Sequence, residues 1–220
     1  MSVDVGEGAR LRAKIALALP ELLAASRRLA THPRIRELYP EYLVAIHGVV
    51  RASVPLMETA RRRALELDRD PVSAALAEYL AEHEDEERDH DEWLLDDLEE
   101  LGSERAAILA RPPSPTIAAA VGAQYYWILH YHPVALLGYI AVLEGYPPSP
   151  ELVDELIART GHSPEAFRTL RAHAELDPGH REELDELLDR LPLTPEQSEA
   201  VGLSALASAR AMARALDEIG

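Results

Sequence analysis

The 220-residue sequence has no cysteine, and aromatic residues make up only 5% of it. Without a thiol, disulfides, thiolate metal ligands and a cysteine nucleophile are all excluded. No run approaches the roughly 20 apolar residues that a membrane helix needs. The opening MSVDVGEGARLRAK carries acids where a secretory signal would have an apolar stretch, so a cytoplasmic protein with no membrane partner is expected. Positive charge is scarce too: 22 Lys and Arg stand against 39 Asp and Glu, a formal net charge of −17. Such a surface repels phosphates, which argues against nucleic acid as a partner. The one short basic run, Arg61-Arg62-Arg63, reads as a solvated helix face. Strand-like alternation and long-period repeats are missing, as are a Gly-x-Ser-x-Gly elbow, a phosphate-binding glycine loop and a dinucleotide fingerprint.

What is present points to helix. Hydrophobic residues reach 47%, dominated by Ala and Leu, enough for one sizeable core. A single helical domain over 1–220 is expected: a segment 1–40 packing on a bundle of 41–191, then a last helix over 194–219. Helical spacing runs from about Glu7 to Ala30, divided near Pro20, with Pro33 and Pro40 as punctuation. Glu41 to Leu67 reads as a long helix kinked at Pro55. Asp70-Pro71 starts another that stops at Gly102. A short helix near Ser103 to Ala110 and a stiff Arg111–Pro115 linker follow. Ser114 or Thr116 then opens a helix through Leu143, apolar nearly all round and so expected at the centre. Helices over 150–159 and 164–191 come next, and Thr194-Pro195-Glu196 caps the last. The fold class is all-α, with seven to nine helices.

Two segments break the apolar stripes. His173, Asp177 and His180 fall at i, i+4 and i+7, within about 60° of one another on a helix of about 100° per residue. His83, Glu87 and His90 repeat the spacing with Glu for Asp. Buried polar groups are costly unless paired or bound to metal, and two such stripes facing each other could build a metal site. The plainer alternative for HEDEERDHDE is a solvated acidic face, and Glu84, Asp85 and Asp89 are read that way. Glu144, closing an almost uninterrupted apolar helix, is either a helix-end charge reaching water or a buried carboxylate needing a cation. Glu58 is a further possible carboxylate, and Glu86 is a possible additional ligand or neighbour of one. Pro178 and Gly179 either bend the second stripe or break it. Tyr125, Tyr126 and Trp127 read as core, with Tyr125, Tyr126 and His47 as candidate pocket residues; His130 and His132 read as core or supporting groups. Imidazoles and carboxylates without thiolate suit non-haem iron, with manganese as the other candidate, better than structural zinc.

His90 followed by DEWLLDDLEELG, Glu144 in Leu-Glu-Gly, and His173-x3-Asp177-x2-His180 together resemble the haem-oxygenase-like di-iron oxidases and oxygenases, the iron-containing redox enzymes. The resemblance covers roughly Tyr42 to Leu191. It implies a haem-oxygenase-like multi-helix bundle that binds two irons and uses O2 on a small organic substrate. N-oxygenation, desaturation and oxidative C–C cleavage, largely in natural-product pathways, are the reactions it implies. The ligands it implies are His90, Glu144, His173, Asp177 and His180. A sixth, usually Glu seven residues before the first His, is replaced here by His83, and Glu87 is taken as the sixth ligand. His83 remains a ligand, a partner of one, or a bystander. An amino acid, an amine and a fatty acid all stay open as substrate, and a homodimer is compatible with the sequence. Two alternatives compete: a ferritin-like di-iron protein built on Glu58, Glu87, His90, Glu144, Asp177 and His180, and a non-catalytic binding protein with a degenerate metal pocket.

Overall fold

The computed structural model describes residues 5–67 and 69–220; the first four residues of the opening segment therefore lie outside the described residues. The described residues form helices and no strands. In chain order these are α1 (Glu7–Ile15), α2 (Leu19–Ala30), α3 (Ile35–Val50), α4 (Ser53–Glu66), α5 (Ser73–Glu86) and α6 (His90–Glu100). Then come α7 (Arg105–Ala110), α8 (Pro115–His130), α9 (Leu136–Leu143), α10 (Pro150–Thr160), α11 (Arg168–Arg190) and α12 (Pro195–Asp217). Short 3-10 turns at Pro133–Ala135 and Pro164–Phe167 lead into α9 and α11. The division expected near Pro20 separates α1 from α2, and three further long stretches are broken: α3/α4, α5/α6 and α8/α9 each correspond to one periodic stretch of sequence.

Several caps follow the local chemistry. The Ser114 and Ser149 hydroxyls accept from Ile117 N and Leu152 N, with proline at the first helical position of α8 and α10. Thr194 and Gln197 form a reciprocal capping box on α12. Other boundaries differ from the sequence expectation. Pro40 does not punctuate; it lies inside α3, which starts at Ile35. A proline leaves the carbonyl four residues back without a partner, and here the Arg36 carbonyl accepts from His162 Nε2 at 2.8 Å instead. The break between α3 and α4 falls at Arg51–Ala52, which puts Pro55 in the first turn of α4, where its missing N–H costs nothing.

The long apolar segment also divides. α8 buries only Ile117, Ala120, Gln124 and Ile128, and leaves Tyr126 and Leu129 exposed, so it is peripheral. Tyr126 is 65% exposed, with its ring 4.9 Å from that of His130, and it is neither core nor pocket. From Pro133 to Val142 every residue is buried. This piece sits against α12 so closely that a Cβ on Gly138 would lie 2.8 Å from Ala205 N and 3.0 Å from Ser204 Cβ and would overlap the Val201 carbonyl. α1 and α2 lie along α12, and α1 also meets α11. The interior has two apolar clusters, one around α9, α12, α4 and α5, the other around α3, α6 and α10. No helix among the described residues is long and apolar enough to cross a membrane.

Candidate metal centre

The polar interior lies where α5, α6, α9 and α11 meet. α5 ends at Glu86 and α6 begins at His90, so the first His-acid-His stripe spans a joint and not one helix. Asp89 makes the turn in the left-handed conformation at φ 67°, which Asp tolerates better than most residues. The joint turns Glu87 inward, buried, with its Oε2 accepting from His90 Nδ1 at 3.0 Å. The second stripe behaves oppositely. α11 runs unbroken through Pro178 and Gly179, both exposed, so the carbonyl freed by the proline is on a face that water reaches. Asp177 and His180 are buried and His173 is half-buried.

The two stripes pair antiparallel. His83 meets His180 with ring centroids 5.0 Å apart, and His90 meets His173 at 5.0 Å, both nearly edge-on. The register is held by Asp97, one stripe position beyond His90 and Leu94: its Oδ2 accepts from Thr169 N at 3.0 Å at the start of α11. Each imidazole pair has its own carboxylate. Glu144 Oε1 accepts from His83 Nε2 at 2.9 Å, and Asp177 Oδ1 accepts from His173 Nδ1 at 2.9 Å. Glu87 lies between the pairs, with Oε2 on His90 and Oε1 3.8 Å from His180 Nδ1.

Glu144 reaches this point from the C-terminus of α9. Arg12 from α1 fixes that end, donating from Nη1 to the Ala141 carbonyl at 2.9 Å and from Nε to Asp185 of α11 at 2.9 Å. Gly145 is required here, because a Cβ would overlap both the Ala141 carbonyl and the Arg12 guanidinium. Of its two sequence readings, Glu144 is the buried carboxylate.

Burial and pairing set the charges. Desolvation alone would lower the His83 pKa, but the bond to Glu144 and the charges of Glu144 and Glu87 outweigh it and raise it to about 9. His173 follows the same pattern: burial lowers it and Asp177 raises it further, for a net rise. Burial pushes Glu144 up despite its bond to His83. Burial pushes Glu87 the same way, yet the bond and charge of His90 bring it below the ordinary carboxylate range.

The atoms left over decide what the site can hold. Glu87 Oε1, Glu144 Oε2, His173 Nε2 and His180 Nδ1 are buried and make no hydrogen bond among the described residues. His180 Nδ1 is 3.6 Å from Glu144 Oε2 and 3.8 Å from Glu87 Oε1, too far for hydrogen bonds and close enough for a cation between them. His83, Glu87 and His180 can each present a ligand atom within 4.8 Å of the others. This nitrogen-and-oxygen donor set, without thiolate, fits iron or manganese.

Of the other residues singled out, Glu86 is 46% exposed but accepts from His83 Nδ1 at 3.2 Å. Glu58 is exposed on α4 outside the cluster, which removes a carboxylate that the ferritin-like alternative needs. Glu84 is not solvated; it is buried and paired with Arg61 at 2.8 Å. Sequence reasoning passed over Tyr79, whose ring stacks on His83 at 5.3 Å one helical turn away, and Asp97. The i, i+4, i+7 run His90, Leu94, Asp97 was the available signal for the latter.

A cavity of about 240 Å³ adjoins the cluster, with Glu87, Glu144, His173 and Asp177 in its wall and Tyr42, Leu94, Leu143 and Tyr146 beside them. His47 and half-buried Tyr125 line a different, larger cavity of about 770 Å³.

No curated protein is detectably similar in sequence. Among solved structures, a domain of unknown function with a heme oxygenase-like fold from Shewanella denitrificans OS217 superposes with a TM-score of 0.80 at 20% identity, over 96% of this chain and 90% of that one. A TenA homolog from Pseudomonas syringae pv. tomato strain DC3000 gives 0.66 at 13% identity, over 93% and 91%. These likenesses show the haem-oxygenase-like fold. Residues 41–213, which carry both stripes and Glu144, match the family of iron-containing redox enzymes, and the chain belongs to that family.

Proposed function

We propose that the protein is an O2-dependent di-iron oxidase or oxygenase acting on a small organic substrate. The observation that carries this is the convergence of four unpartnered buried donor atoms: those of Glu87, Glu144 and His173 belong to residues in the wall of one cavity, and His180 Nδ1 lies behind them, 3.6 Å from Glu144 Oε2 and 3.8 Å from Glu87 Oε1. One iron would be held by residues drawn from His83, Glu87, Glu144 and His180, and the other by His90, His173 and Asp177, with Glu87 also beside His90. His83 thereby replaces the carboxylate usual at its position. When bound, the irons supply the electrons that activate O2, which side chains of this composition cannot.

The chain's own residues supply position and exclusion. Leu94, Leu143 and Leu170 line the cavity beside the carboxylates and keep bulk water from the reacting end. Before metal arrives, the His83 proton at Nε2 is held by Glu144 and that at Nδ1 by Glu86, so the pair of carboxylates is not left uncompensated. Tyr79, stacked on the His83 ring, fixes its plane. A place in natural-product metabolism rests on the family resemblance of the His90, Glu144 and His173-x3-Asp177-x2-His180 motifs.

Anaerobic titration with ferrous iron, followed by O2, tests the proposal. Two equivalents per chain and a transient visible absorption band after O2 support it. Absence of iron uptake would leave a non-catalytic binding protein; tight uptake of one equivalent would remove the dinuclear part.

A further inference from the structure

The cavity beside the metal centre bears charge at one end only. Among the described residues, its acid and imidazole groups, Glu87, Glu144, His173 and Asp177, all belong to the centre, and the remaining wall has no Lys, Arg, Asn or Gln. A charged group placed among its buried wall residues Val49, Ile117, Val142 and Met212 would lose its water and gain no counter-charge. The wall it shares with the larger cavity is thin: Ala45, Ile117 and Ala215 line both. On the far side the larger cavity has none of the centre's residues in its described lining, and its rim carries exposed Arg51 and Glu218 and the Arg111–Glu41 ion pair. Ile117 is the one bulky side chain of the three. It is buried and fixed in the first turn of α8, where its N–H donates to Ser114 Oγ at 3.2 Å. Gly48 leaves room for it, since a Cβ there would lie 3.3 Å from Ile117 Cγ2.

We propose that the substrate carries a hydrocarbon chain whose polar reacting group sits at the metal centre and whose tail runs towards Ile117, and that Ile117 sets the longest chain accepted. This rests on the reading that the centre is where reaction occurs, but tail binding needs only the cavity and can be measured without iron. A smaller side chain at 117 opens the inner cavity into the outer one; a larger one shortens it.

Straight-chain primary alcohols of four to twelve carbons, titrated calorimetrically into metal-free and Mn(II)-loaded protein, provide the test. Affinity should rise about fourfold per added CH2 while the chain is being buried, then stop rising at a limiting length. Ile117→Ala should move that limit up by about two or three carbons, the volume the truncation releases, and Ile117→Phe should move it down. The two variants act in opposite directions, so poor folding of one leaves the other decisive. A limit unchanged in both, or affinity indifferent to chain length, overturns the inference. Iron uptake together with no length dependence defeats this inference alone. A shifting limit in a protein that takes up no iron keeps the length-setting role of Ile117 and defeats the di-iron reading.

Discussion

Gly138 is where the segment that delivers Glu144 presses hardest on its neighbour, and Gly138→Ala should be severe for a one-carbon change. The added Cβ meets the backbone of α12, at 2.8 Å from Ala205 N and overlapping the Val201 carbonyl, so no side-chain rotation relieves it. Overpacking costs typically about 1–3 kcal/mol, and contact with rigid backbone on a wholly buried helix puts this site near the top, at about 3 kcal/mol. For a chain of this size that lowers the melting temperature by roughly 6–12 °C. Because α9 must lift from α12, Glu144, six residues further on, moves from His83 and His180, and metal affinity should fall as well. Gly122→Ala is the internal control: nothing lies within 4 Å of its added Cβ on the exposed face of α8. There the gain in helix propensity should stabilise by about 0.5–1 kcal/mol. Differential scanning fluorimetry of both variants, checked by urea titration, reads the pair. A Gly138→Ala protein melting within about 2 °C of the parent would refute the close packing of α9 on α12.

His83→Gln should weaken one of two metal equivalents by roughly a hundred-fold or more, at least the loss known for groups that only support a ligand, whereas Glu58→Gln should leave both unchanged; metal-competition titrations distinguish them. Metal uptake should release protons, because His83, raised to about 9, is charged in the metal-free protein at neutral pH, and the Asp177 bond shifts His173 in the same direction. Apparent affinity should therefore climb with pH until about 9, and calorimetry in buffers of different ionisation enthalpy should detect the protons; no release would contradict the assignment. The same shift gives metal-free stability a sign. The folded pKa of His83 lies above its unfolded value of 6.5, so its ion pair contributes fully below about pH 6.5 and is lost as pH rises through about 9. Asp97→Ala should cost about 1–3 kcal/mol in urea unfolding by stranding Thr169 N.

Local rules made the helix starts legible in the sequence, because Ser114, Ser149 and Thr194 act within their own turn. Apart from the division near Pro20, the breaks followed long-range forces and were not legible. The spacing of His83, Glu87 and His90 suggested one helix; the structure ends it at Glu86, because an acidic run is better accommodated with Glu87 turned in against His90 and Asp89 turned out. The spacing of His173, Asp177 and His180 looked threatened by Pro178 and Gly179, yet α11 continues, since tertiary contacts of its buried face outweigh weak local propensity. The candidate ligands of the two stripes came from residue type and periodicity, which suggested that the stripes could face each other and did not say which imidazoles would meet. The antiparallel pairing, the Arg12 clamp and the Asp97 cap link residues far apart in the chain, and nothing local announces them. Tyr126 misled because an aromatic in an apolar run says nothing about which face of α8 meets the core.

The most direct test is anomalous diffraction from crystals loaded anaerobically with Fe(II). Two iron peaks on either side of Glu87, one between His83 and His180 and the other between His90 and His173, are expected. A single peak, or peaks away from these imidazole pairs, would contradict the dinuclear centre.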